Sequence, residues 1–163
     1  MVKKLLAAAL IILNIGCDQI SKSVVRGNIR FHEKIELVNE NLILTKVENR
    51  GAFLGLGHTL PPPVRLILFL ALPFAVMVVM LFMLFRKNLN KGSLIGLSFI
   101  IGGGLGNLYD RIVYGSVTDF LHINLGVFKT GIFNMADFSI VIGVTILVFF
   151  NLFGEKKGET AKV

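Results

Sequence analysis

The sequence predicts an all-α membrane protein with four transmembrane helices and a small extracytoplasmic β-sheet. Apolar residues make up 54% of the 163-residue chain, and its mean hydropathy is +0.75, more than a soluble domain of this length needs. Four stretches have the roughly 20 apolar residues that a helix needs to cross the hydrocarbon core of a bilayer. Between the first two stretches lies a segment with strand character.

The predicted spans are residues 5–25, 64–85, 94–113 and 132–153, within a single domain covering 1–163. Pro73 lies inside the second span, where a transmembrane helix tolerates it as a kink. The third span contains Gly102 and Gly106, whose four-residue spacing permits close contact with a neighbouring helix. Residues 154–163 are expected to form a mobile tail.

Basic residues mark the predicted cytoplasmic face. They precede the first span, fill the link between the second and third, and follow the fourth: Lys3, Lys4, Arg86, Lys87, Lys91, Lys156, Lys157 and Lys162. By the positive-inside rule both termini are cytoplasmic, and residues 26–63 and 114–131 are extracytoplasmic. The net charge of +7 is then explained by topology and by contact with anionic lipid headgroups, so no nucleic-acid partner is expected.

The two extracytoplasmic segments differ in predicted structure. Residues 34–38 and 42–47 form strands around a turn at 39–41, because the second run is rich in β-branched and apolar residues. The other segment, 114–131, is expected to be an outer loop between the third and fourth helices.

All the aspartates lie in or beside the apolar stretches, whereas all the glutamates lie in polar segments. The aspartates are Asp18, Asp110, Asp119 and Asp137. A carboxylate at membrane depth costs about 2.5–3.5 kcal/mol, so each needs a partner, a water-filled cavity or a reaction. The predicted topology brings all of them to the extracytoplasmic ends of the spans or to the second outer segment.

Simple structural roles account for some of these residues taken singly. Asp18 and Lys22 are four apart on one helix face and can neutralise each other. Asp137 can cap the fourth helix. Two carboxylates brought together in a low-dielectric site share a proton, however, and such a pair can activate a water and polarise a carbonyl. Peptide-bond hydrolysis at the membrane surface is therefore the predicted chemistry.

Five motifs, in order along nearly the whole chain, resemble those of the lipoprotein signal peptidase (signal peptidase II) family. They are 18–22 (DQISK) for D-Q-x-x-K, 48–53 (ENRGAF) for N-x-G-A, 103–111 (GGLGNLYDR) for G-G-x-x-N-x-x-D-R, 117–120 (VTDF) for V-x-D-F, and 133–137 (FNMAD) for F-N-x-A-D. Two positions depart from the commoner pattern, Arg50 and Phe138. Neither anchors a motif, so they affect the expected substrate preference and inhibitor fit.

The resemblance implies a bacterial membrane aspartic peptidase with Asp119 and Asp137 as its catalytic pair. It implies that a second group binds substrate or orients the pair: Asn49, Gly51, Asn107, Arg111 and Asn134. A third group, Asp18, Lys22 and Asp110, would shape the site.

The expected substrate is a prolipoprotein that carries a diacylglyceryl group on a cysteine and is cut just before it. The resemblance further implies a location in the cytoplasmic (inner) membrane, contact with membrane lipids, and inhibition by cyclic peptides of the globomycin type. No metal or other cofactor is expected.

Two other functions compete with this prediction. The N-terminus, with Lys3, Lys4, an apolar run and Cys17, is similar to a lipoprotein signal peptide, which would make the chain itself a lipoprotein modified at Cys17. Alternatively, the buried aspartates could carry protons or cations in a transport protein. Asp119 and His122 suggest a metal pair, but residues three apart in an extended segment point to opposite faces.

Overall fold

Within the described residues, four helices are long and apolar enough to cross a membrane, as predicted. The structure is a computed structural model that describes residues 2–52 and 55–153. The four helices are α1 (Val2–Asn28), a composite helix (Pro62–Arg86), α4 (Lys91–Tyr114) and α5 (Met135–Phe153). The predicted tail, 154–163, and Phe53 of the ENRGAF segment lie outside the described residues.

The composite helix has a widened turn where a kink was predicted. It consists of α2 (Pro62–Leu66), a π-helical turn (Ile67–Ala71) and α3 (Leu72–Arg86). Pro73 has no N–H, so the carbonyl of Phe69 lacks the donor of a regular α-helix. The wider hydrogen-bonding pattern of a π turn lies directly before it, and the helix continues beyond the proline.

Helix α4 packs against α1 on one side and α5 on another, and glycines make both contacts possible. A Cβ on Gly106 would lie 2.6 Å from Oδ2 of Asp18 in α1, and one on Gly102 would lie 2.6 Å from Cβ of Asn14. Towards α5, a Cβ on Gly96 would lie 2.8 Å from the carbonyl oxygen of Gly143. The predicted close-contact face at Gly102 and Gly106 is therefore confirmed.

The outer segments form one antiparallel four-stranded sheet in the order β1-β2-β3-β4. Its strands are β1 (Ile35–Val38), β2 (Leu42–Asn49), β3 (Val117–Leu125) and β4 (Phe128–Lys129). The predicted hairpin corresponds to β1 and β2. The expected outer loop instead contains β3 and β4, and β3 pairs with β2 from a distant part of the chain. That pairing ties both outer segments into one layer above the helices.

Helix α5 begins at Met135, three residues later than the predicted start at 132. Phe133 is still paired with Leu121 of β3 through backbone hydrogen bonds. The side-chain Oδ1 of Asn134 accepts from the N–H of Asp137 at 3.0 Å, which satisfies a free donor in the first helical turn. The strand pairing and this cap together fix the start of α5.

Candidate active site

Asp119 and Asp137 lie together at the junction of the sheet and the helices. Asp119 is on β3 and only 4% exposed, and Asp137 is in the first turn of α5. Both line a cavity of about 90 Å³, whose other walls include Asn49, Asn107 and Arg111. Such a cavity has room for water. Residues brought together from β2, α4, β3 and α5 therefore surround one small polar space.

Three asparagines donate hydrogen bonds to this pair of aspartates. Asn134 Nδ2 donates to Asp119 Oδ1 at 2.6 Å, and Asn49 Nδ2 donates to Asp119 Oδ2 at 2.9 Å. Asn107 Nδ2 donates to Asp137 Oδ1 at 2.8 Å. Every site residue assigned to orient the pair, apart from Gly51 and Arg111, thus touches an aspartate directly.

Each amide is held in one orientation by a donor at its oxygen. Asn49 Oδ1 accepts from Gly51 N–H at 3.0 Å. Asn107 Oδ1 accepts from the Lys22 ammonium at 2.9 Å, and Asn134 Oδ1 accepts from Asp137 N–H. Because the oxygen is engaged, the NH₂ group must face the carboxylate.

Burial raises the pKa of Asp119 from 3.8 to about 6. The hydrogen bond from Asn49 opposes this shift, and the charge of Asp137 adds to it. A carboxyl group with this pKa changes protonation near neutral pH, as a general acid or base requires.

A buried ionic cluster lies behind the pair. Lys22 Nζ donates to Asp18 Oδ2 at 2.8 Å and lies 3.1 Å from Asp110 Oδ2, and all three side chains are fully buried. Asp18 Oδ1 accepts from the backbone N–H of Ala136, one residue before Asp137, at 2.9 Å. The cluster therefore fixes the first turn of α5 as well as the amide of Asn107.

Asp110 pairs with residues of α1 and not with its sequence neighbour Arg111. Asp110 Oδ1 lies 2.8 Å from Nη2 of Arg26 in α1, and Asp110 otherwise contacts Lys22. Adjacent residues on a helix point about 100° apart, so they do not face each other. The sequence-based prediction did not include Arg26, although Asp18, Lys22 and Arg26 are spaced four residues apart on one face of α1.

Two further residues were missed because their partners are distant in sequence. Glu48 accepts hydrogen bonds from Ser116 Oγ at 2.6 Å and from Thr118 Oγ1 at 2.8 Å. Gln19, inside the DQISK motif, donates to Asp18 and Asp110 at 3.0 Å each. Glu48 joins β2 to β3, and Gln19 joins α1 to α4.

Arg111 holds the turn that carries Asn49. It donates to the carbonyl oxygen of Gly51 at 3.1 Å and to that of Asn107 at 3.3 Å. A Cβ on Gly51 would lie 2.9 Å from the carbonyl oxygen of Gly55, so only glycine fits this turn. Gly51 and Arg111 position the site without contacting the aspartates.

The argument that Asp119 and His122 face opposite sides is wrong. The N–H groups of Phe120 and Leu121 both donate to the carbonyl oxygen of Phe133, at 3.0 and 2.8 Å, which is the pattern of a β-bulge. The bulge shifts the alternation by one residue, so both side chains line one cavity of about 600 Å³. Even so, the described residues contain no group of three or more His, Cys, Asp or Glu side chains that could hold a metal ion.

The position of Cys17 argues against the alternative that this chain is itself a lipoprotein modified at that residue. Cys17 is exposed in the middle of the continuous helix α1. Cleavage before it would remove Ala7 and Ile11, which are buried in the main hydrophobic core. The residues directly after it, Asp18 and Lys22, belong to the ionic cluster of the site.

Comparison with known proteins gives one family. The family model described as signal peptidase (SPase) II matches residues 10–153. The chain is 36% identical over 134 residues to a lipoprotein signal peptidase of Wigglesworthia glossinidia brevipalpis, covering 81% of this chain and 84% of that protein. It is 36% identical over 152 residues to a lipoprotein signal peptidase of Chlorobium phaeobacteroides (strain BS1), covering 88% and 91%.

The fold agrees with solved structures. A bacterial membrane enzyme determined by the in meso method at 2.3 Å resolution superposes with a TM-score of 0.82 at 23% identity, covering 96% of this chain and 94% of that one. A second, at 1.9 Å resolution, gives a TM-score of 0.80 at 22% identity, covering 91% and 94%. With its four membrane helices and its match to the family model over residues 10–153, the chain belongs to the signal peptidase (SPase) II family of bacterial membrane proteases.

Proposed function

We propose that this protein is an aspartic endopeptidase that removes the signal peptide of diacylglyceryl-modified prolipoproteins by cutting before the lipidated cysteine. The observation that carries the proposal is the pair Asp119 and Asp137 lining one small cavity, with asparagine N–H donors on both carboxylates. The substrate class follows from the family and from its relatives, which are named lipoprotein signal peptidases.

In the proposed reaction the two carboxyl groups hold one proton between them. The ionised member takes a proton from a water molecule, whose oxygen attacks the carbonyl carbon of the scissile bond. The protonated member gives its proton to the carbonyl oxygen, which forms a tetrahedral diol. Collapse of the diol transfers a proton to the cysteine nitrogen and breaks the C–N bond, so the carboxyl groups again hold one proton.

Other nucleophiles fit the described part of the chain less well. Cys17 is exposed on α1, outside the residues that line the cavity of the two aspartates. The Lys22 ammonium is fully buried, and its nitrogen is held by contacts to Asp18, Asn107 and Asp110. A water activated by a carboxylate is then the simplest attacking group.

The membrane supplies the geometry of substrate delivery. The acyl chains of a diacylglyceryl group partition into lipid, each buried CH₂ contributing about 0.8 kcal/mol, so the modified cysteine is held close to the bilayer surface. The site lies where the helices meet the sheet. We propose that this is the extracytoplasmic face and that both termini are cytoplasmic, which is supported by the basic residues flanking the other ends of the helices.

A larger cavity next to the aspartates can take the substrate peptide or a cyclic peptide inhibitor. It has a volume of about 600 Å³ and is lined by residues including Glu48, Asn49, Arg50 and Asp119, a size typical of ligand sites. We propose that globomycin-type peptides inhibit the enzyme here. Phe138 is 49% exposed on α5 and does not line this cavity.

The direct test is cleavage of a synthetic diacylglyceryl prolipoprotein peptide by the purified protein in detergent. Asp119→Asn and Asp137→Asn should each reduce kcat by about 10³-fold or more, because each removes one partner of the shared proton. Glu36→Gln, at an exposed carboxylate on β1, is the matched control and should leave turnover unchanged. Full turnover by either Asn variant would refute the mechanism, and loss of activity on adding a chelator would point to a metal enzyme instead.

A further inference from the structure

Three arginines line a third cavity beside the two aspartates. This cavity, of about 320 Å³, is lined by Arg50, Arg65 and Arg111, and it shares Asn49 and Arg111 with the cavity of the aspartates. Within the described part of the chain no Asp or Glu lines it. Three positive guanidinium groups around one cavity, with no carboxylate in its wall, indicate an anion-binding site.

No carboxylate of the described residues lies within ion-pair distance of these three guanidinium groups. Among residues 2–52 and 55–153, every ion pair involves Lys22 or Arg26. Arg111 donates to backbone carbonyl oxygens, and the buried Nε of Arg65 has no hydrogen-bond partner within the described part of the chain. A buried donor without a partner costs free energy, which a bound acceptor would recover.

The acidic side chains closest in sequence to Arg50 and Arg111 are occupied. The carboxylate of Glu48, which precedes Asn49 on β2, accepts from Ser116 and Thr118. Asp110, next to Arg111 in sequence, is held by Lys22 and Arg26. Neither is available to the guanidinium groups of Arg50 and Arg65 without breaking contacts that join β2 to β3 or α1 to α4.

An apolar wall continues from the arginines along the composite helix. Leu66, Phe69 and Leu70 line the same cavity as Arg65. Phe69 is four residues beyond Arg65, which at 1.5 Å per residue places it about 6 Å further along the helix. The cavity is therefore cationic at the outer end of the helix and apolar beneath it, as a lipid with an anionic head would require.

We propose that this cavity binds a phosphate group between the guanidinium groups of Arg50 and Arg65, as carried by an anionic glycerophospholipid or by free phosphate. Planar guanidinium groups donate paired hydrogen bonds to phosphate oxygens, and basic pockets between membrane helices bind phospholipid headgroups. The proposed substrate has no phosphate on its diacylglyceryl group. This ligand is thus distinct from the substrate, and its binding does not depend on the proposed cleavage.

The test measures lipid binding to the full-length protein in neutral detergent by native mass spectrometry. Dioleoyl phosphatidylglycerol is compared with dioleoylglycerol, which has the same acyl chains without phosphate. The wild type should bind the phospholipid about tenfold more tightly, and Arg50→Gln/Arg65→Gln should lose that preference, because both charge-assisted donors to the phosphate oxygens are removed. The single variants Arg50→Gln and Arg65→Gln give intermediate values and serve if the double variant unfolds.

A matched control removes the same charge elsewhere in the same outer segment. Arg30→Gln/Lys34→Gln changes two exposed basic residues that lie outside the cavity and should keep the preference for phosphatidylglycerol. Inorganic phosphate added as a competitor distinguishes the two sources. If phosphate displaces the lipid, or binds with the same dependence on the two arginines, the site recognises phosphate in general. If lipid binding is unchanged by added phosphate, the site recognises the phospholipid.

Three results would overturn the proposal. They are equal binding of the two lipids to the wild type, an unchanged preference in Arg50→Gln/Arg65→Gln, and an equal loss in the Arg30→Gln/Lys34→Gln control. None of these measurements uses peptidase activity. A failure here therefore leaves the proposed function standing, and a failed cleavage test leaves this site standing.

Discussion

Asn49, Asn107 and Asn134 show how single side chains acquire direction in this site. The oxygen and the NH₂ group of an amide have similar shapes, but the oxygen accepts hydrogen bonds and the NH₂ group donates them. Each of these three side-chain oxygens accepts a hydrogen bond from a neighbouring donor. The NH₂ groups therefore point at the two aspartates without rearrangement. Donors fixed in advance around a reacting carboxyl pair avoid the reorganisation that water would require.

The raised pKa of Asp119 predicts the basic limb of the pH profile. Asp119 keeps its proton below about pH 6 and loses it above, so at higher pH this carboxyl group has no proton to give to the carbonyl oxygen. We expect kcat/KM to fall about tenfold per pH unit on the alkaline side of this value. Because the hydrogen bond from Asn49 lowers the pKa, Asn49→Ala should move the limb to higher pH. A profile that is flat from about pH 5 to 8 would contradict this assignment.

Lys22→Met should destabilise the protein strongly. It leaves the fully buried Asp18 and Asp110 without their shared cation, and breaking a buried ion pair costs about 3–5 kcal/mol. It also frees Oδ1 of Asn107, so kcat should fall in any folded fraction. Thermal unfolding in detergent measures the first effect. The control Lys34→Met, at an exposed position, should hardly change the unfolding temperature. Equal unfolding temperatures for the two variants would contradict the structural role given to Lys22.

At the scale of elements, α4 is the helix on which the site is assembled. It carries Asn107, Asp110 and Arg111, and its glycines bring α1 and α5 close enough for side chains of three helices to meet. Gly106 lies against the Asp18 carboxylate. The same spacing that permits helix contact therefore places an ionic partner close to the two aspartates.

Gly106→Ala tests this coupling of packing to chemistry. The added Cβ would lie 2.6 Å from Asp18 Oδ2, so the carboxylate must move away from Lys22 or from Ala136 N–H. Overpacking of this kind costs about 1–3 kcal/mol, and we expect lower thermal stability together with lower kcat. Gly104→Ala is the matched control, because its Cβ would meet only the flexible side chain of Met77. Equal effects in the two variants would show that the carboxylate is not the sensitive partner.

Elements with local signals were predictable, and those that depend on distant partners were not. The spans follow from hydropathy, and the hairpin β1–β2 follows from its own turn. Strand β3 has β-branched and alternating residues, yet its pairing with β2 joins positions about 70 residues apart, such as Val47 and Asp119. The bulge at Phe120 and Leu121 depends on the carbonyl of Phe133, so no periodicity within β3 indicates it.

Site residues divide in the same way. Asp119, Asp137 and the asparagines were predicted through motif resemblance, and the Asp18–Lys22 pair through helical spacing. Arg26 followed the same spacing and was overlooked. Glu48 and the arginine-lined cavity could not be predicted, because they arise only where β2, the composite helix and α4 converge.

At the scale of the whole molecule, polarity is concentrated at one end of the helices. The buried charges, both aspartates and the sheet lie there, whereas the helix surfaces expose large apolar residues such as Leu13, Phe82 and Phe149. In a bilayer those surfaces contact lipid, which cannot hydrogen-bond. The polar end must therefore meet water at one membrane surface, and the orientation decides which compartment the site serves.

Cysteine labelling tests that orientation in a Cys17→Ser background, since Cys17 is the only native cysteine. Val127→Cys lies on the fully exposed turn between β3 and β4, and Asn88→Cys lies on the exposed link between α3 and α4. A maleimide that cannot cross the cytoplasmic membrane is added to cells whose outer envelope layer has been made permeable. It should label Val127→Cys directly, and it should label Asn88→Cys only after the cytoplasmic membrane is opened. The two positions control for each other, because both are exposed and differ only in side. The reverse pattern would place the aspartates at the cytoplasmic face, where a substrate already exported and lipidated would not reach them.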